Sequence, residues 1–222
     1  ADTRTMRTAD TRRDRRGARA PAAIVLAAGA SSRMGQAKAL LRWRGESFLR
    51  RTIWLAEQAG CAPIVVVEGA AALPAEELGG AALARNETWS NGQFSSLRCG
   101  LAWLARHATP EHGALVLTVD RPHVRADTVR ELLAAHRRAP RGIYQPAHAG
   151  RRGHPILFPS FLRTVLLALP AHGDNSPRVL FRLPEVGALR RSVAVDDPAV
   201  LENIDTPDDY RRLLARDGDG DR

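Results

Sequence analysis

The sequence predicts one α/β domain built on a single doubly wound, mostly parallel sheet with helices on both faces. Three observations lead there. Short apolar runs of strand length alternate with segments of helical periodicity from residue 22 to residue 216. The first run breaks into a loop of small residues carrying glycine, as a strand does when it feeds a helix in a parallel sheet. No internal repeat or linker-like stretch divides the segment.

Each element follows in order. Residues 22–28 (AAIVLAA) form a continuous apolar run ending at Gly29, the pattern of a strand buried on both faces. Residues 46–59 carry Phe48, Leu49, Ile53, Leu55 and Ala56 at helical spacing, with Gly60 as a stop. Residues 63–67 (PIVVV) read as a second buried strand, completing a βαβ unit with the usual right-handed crossover. Residues 95–107 are helical in pattern, with Leu97, Leu101 and Leu104 on one face, and residues 114–119 (ALVLTV) are a third buried strand running into Asp120-Arg121-Pro122. A helix over 127–138, a strand over 155–158, a helix over 160–169 and a short strand over 193–195 follow. Thr206-Pro207-Asp208-Asp209 opens a terminal helix: a capping residue, proline at the first helical position, then early acids.

Composition excludes several classes. With 222 residues, 44% apolar and 26% charged, the chain can bury a core without disulfides or structural metals. No run approaches the roughly eighteen apolar residues of a membrane span, so no membrane role is expected. The net charge of +9 raises nucleic acid as a partner, but residues 1–22 alone hold seven arginines against three aspartates. With almost no large apolar residues, residues 1–21 read as a disordered basic tail, and 217–222 as a polar frayed tail. The remaining charge is spread without a basic stripe interleaved with aromatics, so nucleic acid is not the expected partner. The twin arginines at Arg12-Arg13 do not read as an export signal, because the apolar stretch behind them is only seven residues long before the glycine loop. Cys61 and Cys99 sit among small apolar residues and read as reduced thiols of a cytoplasmic protein.

The chemistry concentrates in Leu26, Ala27, Ala28, Gly29, Ala30, Ser31, Ser32, Arg33, Met34, Gly35, Gln36, Ala37 and Lys38. Backbone N–H groups of a small-residue loop behind a buried strand wrap an anion, and Arg33 and Lys38 bring positive charge to the same phosphates. Of 33 basic residues, 32 are arginine, and the single lysine lies inside this loop. A compact ammonium fits against phosphate oxygens where a planar guanidinium does not. Two other phosphate loops fail. The glycines stand six apart rather than in G-x-G-x-x-G, and Gly35 is followed by Gln-Ala-Lys rather than Lys-Ser/Thr.

The run instead resembles L-A-A-G-x-S-x-R-M-G-x-x-K, the signature of the MobA/MocA-like nucleotidyltransferases, and is closest to their molybdenum cofactor cytidylyltransferase branch. The resemblance extends over nearly all of residues 22–216, with the motifs in order. It implies the Rossmann-like fold of nucleotide-diphospho-sugar transferases, a bound nucleoside triphosphate, Mg²⁺ and a phosphorylated small-molecule acceptor. Asn91 to Leu101 resembles the G-x-x-S-S-L-x-x-G-L segment, which implies base and ribose contacts at Gly92, Ser95 and Ser96; Ser95 also suits a helix cap. Thr118-Val119-Asp120-Arg121-Pro122 resembles a D-Q-P motif, which makes Asp120 a metal ligand, with Arg121 standing where the family usually has Gln. Gly153-His154-Pro155 resembles the acceptor-side segment, and Gly173-Asp174 resembles the G-D before a short helix. Asn175-Ser176-Pro177 departs from the usual small glycine-containing turn, and Cys99 from the usual Ala. Asn203 to Asp209 resembles the closing D-I-D-T-P-E-D, whose middle Asp corresponds to Asp205 as a second metal ligand.

Taken together, Lys38, Arg33 and Asp120 are the expected catalytic residues of a transfer in which the acceptor attacks the α-phosphorus and pyrophosphate leaves. Ala28 favours CTP, because CTP-using members resemble this chain in A-A-G where guanylyltransferases read A-G-G. A sugar-1-phosphate or molybdopterin guanylyltransferase stays open as an alternative. So does a non-catalytic nucleotide-binding maturation factor, with a molybdoenzyme or maturation protein as partner.

Overall fold

The computed structural model describes residues 20–108, 113–169 and 181–218. An eight-stranded mixed sheet runs through the molecule. Its strands are β1 (Ala22–Leu26), β4 (Ile64–Glu68), β5 (Ala82–Arg85), β6 (Ala114–Thr118), β7 (Ile143–His148), β8 (Arg151–Arg152), β9 (Ile156–Phe158) and β10 (Arg190–Ala194). A separate hairpin joins β2 (Arg42–Trp43) to β3 (Glu46–Ser47). The helices are α1 (Phe48–Gln58), α2 (Gln93–His107), α3 (Ala126–Arg138), α4 (Leu162–Ala168), the short α5 (Pro184–Gly187) and α6 (Pro207–Gly218). Strand order is β10-β7-β9-β6-β1-β4-β5, with β8 beside β7. β1 pairs in parallel with both β4 and β6, whereas β9 runs antiparallel to β6 and β7. The sheet is therefore mostly parallel, as expected.

Alternation along β1 shows why helices must cover both faces. Ala23 and Val25 join a core cluster with Leu49 and Ile53 of α1 and Leu132 of α3. Ala22, Ile24 and Leu26 join a second cluster with Leu97, Leu101 and Leu104 of α2 and Leu166 of α4. Period-two geometry sends neighbouring side chains to opposite faces, so a strand apolar throughout needs cover on both sides. Gly100 lets α2 approach closely, since a Cβ there would stand 2.5 Å from Ile24. That approach sets the helix N-terminus beside the end of β1. A third cluster of Leu41, Trp43, Phe48, Ile204 and Leu213 ties α6 and the segment before it to the hairpin.

Boundaries moved in informative ways. Residues 46–47 pair with β2, and α1 begins at Phe48 because Ser47 caps it, its Oγ accepting from Arg50 N at 3.0 Å. The helix expected from 95 begins at Gln93 behind Gly92, so Ser95 lies in its first turn and is not the cap. The expected strand over 193–195 is the end of a longer one, β10. Five strands escaped the periodicity: β2, β3 and β8 are only two residues long, β5 is short and half-exposed, and β7 holds Gln145 and Pro146, which interrupt an apolar reading. Within the expected tail, Pro21 is already buried, and its carbonyl accepts from Ala62 N at 3.1 Å. At the other end α6 continues to Gly218. Residues 1–19 and 219–222, the Gly173-Asp174 motif and the Asn175-Ser176-Pro177 departure lie outside the described residues. No helix among the described residues is long and apolar enough to cross a membrane. Cys61 and Cys99 are free thiols, and burial pushes the Cys61 thiol up to about 12.

Candidate active site

Beyond the C-terminal ends of β1 and β6 lies a cavity of about 440 Å³. Its floor is the loop that follows β1. Ala27 N donates to Val67 O at 2.9 Å, so the chain stays pinned to β4 before it turns away. Ser31 takes a left-handed conformation, with φ of 53°. Its Oγ accepts from Lys38 N at 3.0 Å and its carbonyl from Met34 N at 2.8 Å, closing the loop on itself. A small polar residue is well suited to that role, because a hydroxyl replaces the hydrogen bonds that regular structure no longer supplies.

The expected loop residues Leu26, Ala27, Ala28, Gly29, Ala30, Ser31, Ser32, Arg33 and Lys38 all line this cavity. Gly92 and Ser96 line it from the start of α2, Asp120 from the end of β6, and Asp205 from the segment before α6. Two expected contacts stand elsewhere. Gly35, with φ of 69°, closes the short helical turn after the loop. Ser95 turns its hydroxyl back to Gly92 O and Thr88 O, at 2.8 and 3.0 Å. Neither lines the cavity.

A continuous polar network crosses the mouth. Lys38 Nζ is ion-paired with Asp205 Oδ1. Asp205 Oδ2 accepts from Asn203 Nδ2 at 3.3 Å, and Asn203 Oδ1 accepts from Arg121 Nη2. Arg121 Nη1 donates to Asp120 Oδ1 at 3.2 Å and to Thr118 Oγ1 at 2.9 Å. The backbone repeats the link, since Ile204 N donates to Asp120 O at 2.9 Å. Two segments 85 residues apart are thus clamped so that both carboxylates face one cavity. Thr206 and Asp209 form a reciprocal cap on α6: Asp209 N donates to Thr206 Oγ1 at 3.2 Å and Thr206 N to Asp209 Oδ2 at 2.8 Å. Capping therefore falls to Thr206 and leaves Asp205 to the cavity. Burial acts to raise the Asp205 carboxyl, but the bond and charge of Lys38, with Asn203 and Arg33, outweigh it and hold the group below its usual value.

A profile of the MobA-like NTP transferase domain matches residues 23–192. The chain belongs to that family. Nicotine blue oxidoreductase of Paenarthrobacter nicotinovorans is 34% identical over 86% of this chain and 95% of its own length. The molybdenum cofactor guanylyltransferase of Xanthomonas euvesicatoria is 31% identical over 88% and 95%, and the molybdenum cofactor cytidylyltransferase of Escherichia coli 27% over 84% and 92%. Among solved structures, Rv0371c of Mycobacterium tuberculosis in complex with manganese superposes with a TM-score of 0.65 at 30% identity, covering 88% of this chain and 98% of that one.

In this MobA-like chain a second cavity, of about 730 Å³, adjoins the first, and Asp120 and Gln93 line both. Gly153 and His154 line the second cavity as expected; Pro155 does not and sits behind it. Gly153 is required by close approach, since a Cβ there would meet Val200 O at 2.1 Å. Burial, then the Arg121 charge, push the His154 imidazole down to about 4 against the opposing pull of Asp120, so it is neutral at pH 7. Sequence reasoning passed over Trp89 and Gln93 in the first cavity and Asn203 in the network. Trp89 announces itself only in three dimensions, where it stands with Ala28 against Gly69: a Cβ on Gly69 would lie 2.6 Å from Trp89 Cβ and 2.8 Å from Ala28 Cβ. The motif held Asn203 in view, but no spacing rule marks it as the link between two aspartates.

Proposed function

We propose that this protein transfers a nucleoside monophosphate, CMP from CTP by preference, to a phosphorylated small-molecule acceptor such as molybdopterin, and releases pyrophosphate. One observation carries the reading: Asp120 stands on the wall shared by a small-residue loop cavity and a second cavity large enough for an acceptor. A group bound there reaches the α-phosphate of one ligand and the attacking atom of the other.

The chain's own groups divide the work. Loop amides between Ala28 and Ser32, with Arg33 and Lys38, hold the β- and γ-phosphates as the leaving group gains charge. Acceptor phosphate oxygen forms the new bond to the α-phosphorus while the bond to the β-phosphate's bridging oxygen breaks, and the electron pair leaves with pyrophosphate. A phosphate nucleophile is ionised at neutral pH, so no general base is needed, and neutral His154 fits a role in acceptor contact rather than proton removal. Asp120 and Asp205 suit a hard cation, which takes one or two carboxylates and completes its shell with phosphate oxygens and water. Mg²⁺ or Mn²⁺ held by these two carboxylates would supply charge neutralisation at the α-phosphate.

The preference for CTP rests on Ala28, a buried residue of the cavity lining whose methyl packs against Gly69 beside Trp89, where a glycine would leave more room for a purine. The guanylyl and cytidylyl relatives lie on either side of this choice. A second reading comes from the oxidoreductase relative: oxidation or reduction of a small molecule at the same site. Incubation with each triphosphate, Mg²⁺ or Mn²⁺ and molybdopterin tests the proposal through pyrophosphate release. Pyrophosphate with CTP supports it; no pyrophosphate from any triphosphate refutes it.

A further inference from the structure

The second cavity has a charge out of proportion to a single phosphate. Arg121, Arg151, Arg152, Arg182 and Arg190 line it, and Asp120 is the one carboxylate among its described lining residues. Arg121 is engaged with Asp120, Thr118 and Asn203. The other end is built differently. Gln145 is 4% exposed and its Oε1 accepts from Arg190 Nε at 3.0 Å and from Arg190 Nη2 at 2.8 Å. Its amide is fixed by Nε2 donating to Gly153 O at 3.3 Å. The Arg190 guanidinium also lies 4.1 Å from the Phe181 ring. Arg152 Nε donates to Ser192 Oγ at 2.7 Å. These two cations are held in place by neutral groups: an amide, a hydroxyl and a ring. Burial, then the neighbouring Arg152 charge, lower the Arg190 guanidinium from its ordinary value, so the fold sets two like charges together against their repulsion. Arginines positioned by neutral partners keep their full charge for an external anion.

Position decides whether this anion is the attacking phosphate. Asp120 follows β6, whereas Arg190 is bound over Gln145 of β7, and β9 lies between those strands. Two strand spacings amount to roughly 10 Å, too far for one phosphate group to bridge. We propose that the Arg152–Arg190 pair is a second anion subsite, and that the acceptor is a bifunctional anion: a phosphate that attacks beside Asp120 and a separate anionic group, for which carboxylate and phosphate serve as probes, on Arg152 and Arg190. This rests on the transferase reading for the role of the first group, but the subsite itself is testable without turnover.

The test is equilibrium binding to the full chain of three esters of one length: hexyl phosphate, phosphohexanoate and hexanediol bisphosphate. The two bifunctional probes should bind at least about tenfold tighter than hexyl phosphate, the gain of one charge-assisted contact, and the larger gain names carboxylate or phosphate as the second group. In Arg152→Gln/Arg190→Gln that gain should vanish while hexyl phosphate and CTP affinities hold, with Arg190→Lys keeping part of it. Equal binding of all three probes, no detectable binding of any, or a gain that survives the double substitution would overturn the subsite. CTP binding is measured separately with Mg²⁺. If it fails while the gain is seen, the transferase reading falls and the subsite stands; if CTP is bound and cleaved without the gain, the reverse holds.

Discussion

The two cavities meet at Asp120 yet are built on opposite principles. The first is made largely of one continuous stretch, Leu26 to Lys38, in which small side chains predominate. The second gathers residues from seven stretches of chain between Gln93 and Asn203, and long cationic side chains are prominent among them. A loop of backbone amides recognises what every nucleoside triphosphate shares, whereas scattered side chains diverge one at a time. Under the proposed function, triphosphate chemistry thus belongs to the first cavity and substrate choice to the second. The chain's curated relatives include transferases and an oxidoreductase, which suits that division.

Breaking the shared wall should have the largest effect. Asp120→Asn should lower turnover on the order of 10³-fold, because a neutral amide is a weak ligand for a hard cation, while circular dichroism shows the fold retained. Full activity of this variant at low Mg²⁺ places the metal elsewhere. Next comes the first cavity alone. Lys38→Ala should cost on the order of 10²-fold in kcat and leave acceptor KM unmoved, with Lys38→Arg a poor rescue. Equal rescue by arginine removes the argument from ammonium shape. A smaller change sharpens base choice: Ala28→Gly should shift the CTP:GTP ratio of kcat/KM toward GTP by about tenfold, read in parallel assays. An unchanged ratio moves base selection away from the loop.

The smallest effect concerns stability in acid. The folded His154 is held at about 4, below its ordinary 6.5. Its contribution is therefore fully present above pH 6.5 and is lost as pH falls from 6.5 toward 4, where the unfolded chain binds a proton that the folded chain refuses. One such group adds at most about 1.4 kcal/mol per pH unit, and partial exposure of His154 reduces that. Thermal melts across this window should fall less steeply for His154→Gln than for the native protein; parallel curves would show that burial of the imidazole is not felt.

The contrast between cavities also explains what could be read in advance. The loop, β1, β4 and β6 were legible because local sequence carries them: an apolar run, a glycine, one lysine among thirty-two arginines. Asp120 and Asp205 could be named, but their meeting depends on Asn203, Arg121 and the Ile204-to-Asp120 backbone bond, contacts that no periodicity announces. Ser95 was expected at the nucleotide, with a helix cap as the alternative; it is neither, because Gly92 opens the helix through a backbone conformation that only coordinates reveal and Ser95 turns its hydroxyl back into the first turn. The arginine subsite was invisible for a further reason. Arg152 and Arg190 are ordinary members of an arginine-rich sequence until Gln145 and Ser192 bring them together.

The central claim is that the loop cavity presents a triphosphate to an acceptor across Asp120. The measurement closest to it is the fate of α-phosphate-labelled CTP incubated with the protein, Mg²⁺ and molybdopterin. The account predicts label in a stable acceptor adduct, matched by an equal amount of pyrophosphate and lost in Asp120→Asn. Label that stays in CTP under these conditions, or that appears only as free CMP without an adduct, would contradict it.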